Sequence, residues 1–142
     1  MRKIILIILL LFSLVSFSQR QPPQNGMSTY TYSNLKLTKA QKIRIKDSLY
    51  VCTYKLEHEG YDPIILAKRA ELNFFLKRYS KAVNDYSVLI NNNANNLGEW
   101  YYRRGLNKML KNKNLEISAC EDFKKAEEFR YVTNYKNYPF CK

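Results

Sequence analysis

Glycine and proline are scarce in this chain of 142 residues, with four of each, which excludes a collagen-like or low-complexity polymer. Its four glycines are scattered, so there is no glycine-rich loop of the kind that cradles phosphates. Histidine occurs once, as His58 in Glu57-His58-Glu59, and none of the three cysteines stands in a C-x-x-C pair or close to that histidine. Zinc-type spacing is therefore missing. No segment alternates with period 2, so strands are not expected. No block of five or six like charges marks a nucleic-acid arm. The one long apolar run, Ile4 to Phe17, covers 14 positions, short of the roughly 20 that a membrane span needs.

That run has another reading. Arg2-Lys3 precede it and Ser16-Phe17-Ser18 close it before Gln19, giving a charged region, an apolar region and a small-x-small cleavage site. A signal peptide over 1–18 is expected, cleaved near Ser18, with the mature chain in the periplasm or outside the cell. The first cysteine is Cys52, so a lipid anchor attached at the cleavage site is not expected. Removing Arg2 and Lys3 takes the formal charge from +12 to +10. A balance this basic attracts anionic partners at low ionic strength. Lysine and asparagine are also abundant throughout, as in Asn91-Asn92-Asn93-Ala94-Asn95-Asn96, and a codon bias toward A and T produces the same composition.

What is present is helical patterning. Residues 19–36 hold Pro-Pro, Asn-Gly and Ser-Thr without apolar periodicity and read as a flexible linker. The folded domain, 37–142, opens at Thr38-Lys39-Ala40-Gln41, a capping box. Ile45, Leu49, Cys52 and Leu56 then recur at helical spacing up to Gly60, giving a first helix over 38–59. Asp62-Pro63 opens a second, with Leu66, Ala70 and Phe74 as its stripe. Tyr79, Ala82, Val83, Tyr86, Leu89 and Ile90 define a third that ends in the asparagine run. A fourth carries Trp100, Tyr101, Gly105 and Met109, and a fifth Ala119, Cys120, Phe123 and Ala126. The fold class expected is all-α.

Self-comparison finds a repeat. Arg69-Ala70-Glu71-Leu72 and Arg104-Gly105-Leu106-Asn107 stand 35 residues apart. Each leads into a second helix, Tyr79-x-x-Ala82-Val83-x-Asp85-Tyr86 in one case and Ala119-Cys120-x-Asp122-Phe123-Lys124-Lys125-Ala126 in the other. A period near 34 built from two helices resembles the tetratricopeptide repeat family. It is similar in particular to short exported bacterial versions whose last repeat runs Ala-Cys-x-Asp-aromatic-Lys-Lys-Ala. The resemblance covers 62–130, as repeats over 62–96 and 97–130, with a tail over 131–142. Leu66, Ala70, Ala82, Tyr86 and Leu89 stand at the family's positions in the first repeat; Tyr101, Gly105, Ala119, Phe123 and Ala126 do so in the second. Asn73 departs from the pattern where an aromatic is usual, and the second repeat carries two extra residues around Asn112 to Glu116.

The resemblance implies antiparallel hairpins stacked as a short right-handed solenoid of about five helices, with a concave groove that reads a peptide or protein segment. On that pattern the groove is lined by Lys68, Glu71 and Phe75 from one hairpin and Glu99, Tyr102, Arg103 and Leu106 from the next. Phe75 and Tyr102 would be aromatic anchors, and Lys68 and Arg103 would steer acidic segments. Ala67, Glu71 and Tyr102 occupy positions that would carry the family's carboxylate clamp, so chaperone-tail binding is not implied. Two repeats are fewer than such arrays generally need; the first helix and the tail would cover the open ends, or a partner or second copy would complete the stack.

The expected function is an exported interaction or scaffolding module of a bacterial cell envelope. The alternative is a basic envelope protein that binds anionic polymer or lipid headgroups through diffuse charge. No enzymatic activity, cofactor or metal is expected, because Cys52 and His58 lie six residues apart on divergent helix faces and no polar groups converge. An oxidising compartment makes one disulfide and one free thiol the default arithmetic for three cysteines. Of three pairings, Cys120 with Cys141 is favoured because it ties the tail to the last helix; three reduced, buried thiols are the other option.

Overall fold

A computed structural model describes residues 36–111, 116–133, 136 and 141 of the chain. The expected signal peptide and all but the last residue of the expected linker lie outside the described residues. Within them are five helices and no strand: α1 (Lys39–His58), α2 (Pro63–Phe75), α3 (Tyr79–Asn91), α4 (Leu97–Lys111) and α5 (Glu116–Glu128). The all-α expectation and the five helices are met. None of these helices is long and apolar enough to cross a membrane.

Local chemistry sets each boundary. Thr38 and Gln41 exchange bonds across the first turn of α1, the Gln41 amide donating to Thr38 Oγ1 at 3.2 Å and the Thr38 amide to Gln41 Oε1 at 2.9 Å. The Asp62 carboxylate accepts from the Ile64 and Ile65 amides at 2.7 and 3.0 Å, while Pro63, which has no N–H to satisfy, takes the first helical position of α2. Three helices then end alike. After α2, α3 and α5 a left-handed residue closes the helix, Lys77 (φ 58°), Asn93 (φ 48°) and Arg130 (φ 62°). In each case the next amide reaches back five residues to a free carbonyl, Arg78 to Asn73, Ala94 to Leu89 and Tyr131 to Ala126, at 2.8, 3.0 and 2.9 Å. This is the Schellman closure, made here without glycine.

Each helix packs principally on its neighbours in sequence, α1 on α2, α2 on α3, α3 on α4 and α4 on α5. The first core cluster joins Leu66 and Ala70 of α2 to Ala82, Tyr86 and Leu89 of α3, with Leu56 and Trp100 against it. The second joins Leu106 of α4 to Ala119 and Phe123 of α5. Small residues set the spacing. A Cβ on Gly105 would stand 2.8 Å from the Phe123 ring and 3.0 Å from the Ala119 carbonyl oxygen, so α4 and α5 approach more closely than any side chain at 105 permits. Ala70 and Ala82 are fully buried at the corresponding contact between α2 and α3. Cys120 and Cys141 form a disulfide with a Cα–Cα separation of 5.4 Å, and Cys52 is a free, half-buried thiol. Closing a loop of this length removes about 3 kcal/mol of unfolded-chain entropy.

Candidate functional site

Sequence comparison aligns Arg69 with Arg104 and Asp85 with Asp122; the structure shows that these residues pair. In the first hairpin the Arg69 guanidinium grips Asp85 with two bonds, Nη2 to Oδ1 at 2.6 Å and Nε to Oδ2 at 3.1 Å. In the second hairpin Arg104 does the same to Asp122, at 2.6 and 2.9 Å. Both carboxylates are buried, and both bonds are the planar fork that only arginine offers. The residue one turn after each arginine faces the same carboxylate. Asn73 Nδ2 stands 3.5 Å from Asp85 Oδ2, and Lys108 Nζ stands 2.8 Å from Asp122 Oδ2. Asn73 is thus no defect of the repeat: its amide is directed at the buried acid. Arg104 also donates to Ser87 Oγ at 3.2 Å, linking the second hairpin to α3 of the first, and lies over the Tyr101 ring. These residues lock hairpins together. A signal for them was available, an Arg followed after 16 residues by Asp and again after 18.

The residues expected to line a groove divide into two groups. Lys68, Glu71, Glu99 and Arg103 come together with Tyr86 where α2, α3 and α4 meet. Lys68 pairs with Glu71 at 3.2 Å and Arg103 with Glu99 at 2.7 Å, and Arg103 is electrostatically coupled to Tyr86 and Glu71. Phe75 is half-buried, edge-on to Phe74 at 5.7 Å. Tyr102 is not a free anchor: its ring lies 5.7 Å from Phe123 and 5.2 Å from Tyr131. Leu106 is a correction, because at 5% exposure it belongs to the α4–α5 core and lines no surface. The steering role given to Lys68 and Arg103 changes too. Each already has a carboxylate neighbour, so the four charges sum to zero and select by pattern rather than by net sign.

Burial pushes the Tyr86 phenol up from its ordinary 10.0 to about 12, against the opposing pull of Arg103. Burial works against the Arg103 charge, but Tyr86 and Glu99 outweigh it and hold the guanidinium charged more firmly than usual. A pH dependence follows with a definite sign. Between pH 10 and 12 the folded chain keeps a proton on Tyr86 that the unfolded chain releases. The stabilisation is complete below that window and is lost as pH rises through it, at about 1.4 kcal/mol per unit. Denaturant titrations across the window are expected to show a shallower fall for Tyr86→Phe than for the wild type; parallel falls would contradict the assignment.

His58 is exposed and stacks on Tyr54 at 4.0 Å, with its Nδ1 against the Tyr54 carbonyl. Among the described residues no three His, Cys, Asp or Glu side chains converge as metal ligands would. No protein-family model, curated protein or solved structure matches this chain.

Proposed function

We propose that this chain is a short tetratricopeptide-like module, exported to a bacterial cell envelope, that docks a peptide or protein segment on the face formed by α2 and α4. The observation that supports the reading is that the second hairpin repeats the first in both its ion pair and its close helix approach, as a stack of equivalent units would. On that face Lys68, Glu71, Glu99 and Arg103 offer two ion pairs of mixed charge, with Phe75 on the same helix as the first. A partner carrying charges of both signs is favoured over a uniformly acidic one. The competing reading, diffuse binding of anionic polymer or lipid headgroups, draws on Lys36, Lys39, Lys42, Arg44 and Lys46, all exposed at the start of α1.

Photo-crosslinking from position 68 in the living cell, with a Glu71→Lys, Arg103→Glu variant as control, tests the choice. One protein captured by the wild type and lost in the variant is the expected result. Equal capture of many envelope components, abolished by salt and unchanged in the variant, would decide for diffuse charge.

A further inference from the structure

The outer face of α1 is built for contact. Leu49, on the inner face, is buried, and Ile45, Cys52 and Leu56 beside it are half-buried. Opposite them Ile43 and Val51 are each 51% exposed, Tyr50 71% and Tyr54 50%. With Asp47 and His58 these residues fall at i, i+4, i+7, i+8, i+11 and i+15, one stripe running about 22 Å along the helix. The rings are already ordered along it, Tyr50 to Tyr54 at 6.5 Å and Tyr54 to His58 at 4.0 Å. A helix at the end of a stack ordinarily turns a polar face to water, and α1 is the first helix among the described residues. This one turns an aromatic one.

The charges along the same helix say what covers it. Its first half holds Lys39, Lys42, Arg44 and Lys46 against Asp47 alone; its second half holds Lys55 and Glu57, with Glu59 capping its end. Lys39 and Glu57 are 18 residues, or five full turns, apart, so they stand on the same flank of the stripe at opposite ends. A surface with a basic end and an acidic end on one flank is complementary to itself turned end for end. We propose that two copies of this chain pair through α1, antiparallel about a two-fold axis. Ile43 then packs on Tyr54 of the second copy, Tyr50 lies opposite Asp47 of the second copy, and Lys39 meets Glu57 of the second copy. A parallel pair would set Lys39 against Lys39 of the second copy. The interface lies on α1 and is independent of the α2–α4 docking face.

Sedimentation velocity over a concentration series, on the protein purified in the form that cells accumulate, reads this directly. A monomer–dimer equilibrium is expected. Tyr50→Glu with Tyr54→Glu raises its dissociation constant about tenfold or more, with helicity unchanged because both rings are exposed. Lys39→Glu and Glu57→Lys each weaken the dimer several-fold, and the two together restore it. That rescue is specific to antiparallel pairing. A monomer at every concentration overturns the proposal, and if Tyr50 and Tyr54 are then shielded from surface labelling, the residues preceding Lys36 are the occupant. A dimer indifferent to the tyrosine pair, or charge reversals that do not rescue one another, overturns it equally.

Discussion

Asp122→Ala is expected to destabilise the fold by about 3–5 kcal/mol, the range found when one partner of a buried ion pair is removed. Asp122 is 4% exposed and holds two cations, Arg104 at 18% and Lys108 at 19% exposure. Its loss leaves both largely buried cations without this carboxylate, Arg104 keeping Ser87 Oγ and the Tyr101 ring and Lys108 the Ser118 carbonyl oxygen. Asp85→Ala is expected to cost less, because its one cation, Arg69, is more exposed at 25% and its other neighbour is the neutral Asn73. Denaturant unfolding monitored by helical circular dichroism checks the order. The interpretation fails if the two substitutions cost the same, or if Asp122→Ala costs no more than an exposed pair such as Lys125–Glu128.

Phe123→Ala is the second large effect, at about 3–5 kcal/mol. The ring is fully buried, its edge sits over Gly105, and Tyr102 packs on it. Gly105 has no side chain to move into the space, and the disulfide at the adjacent Cys120 ties α5 to the tail. The hairpin therefore collapses poorly around the cavity, which places the cost at the upper end of that range. Phe129→Ala, by contrast, removes a ring that is 48% exposed and stacked on Tyr101, and about 1 kcal/mol is expected. Equal midpoints for the two variants would show that Gly105 is not the floor of a tight contact.

The helices were legible in the sequence because their signals are local. Thr38 with Gln41, Asp62 with Pro63, and the apolar spacing of α3 each act within a few residues and specify one start or one buried face. Two helix ends were harder to read for a physical reason: Lys77 and Arg130 adopt the left-handed conformation that glycine or asparagine normally advertises. At the site the division is between face and partner. Spacing alone put Lys68, Glu71 and Phe75 on one face. It could not show that Arg103 would be engaged by Glu99 and Tyr86, or that Leu106, next to a buried glycine, would turn into the core. The Arg–Asp pairs escaped for the opposite reason, since their two halves lie on different helices and no single periodicity contains both.

Packing each helix chiefly against its sequence neighbours gives the molecule a direction. Such a chain has two ends that open independently of its middle, and these ends are unequal. At α5 the Cys120–Cys141 bond restrains the tail. Among the described residues nothing covalent restrains α1, and of its residues only Leu49 is buried. Amide exchange should therefore run as a gradient, fastest in α1 and slowest in α3 and α4, and a protease should nibble the domain from α1 inward. If two copies meet through α1, each clamps the loose end of the other, so assembly and mechanical closure of the stack become one event.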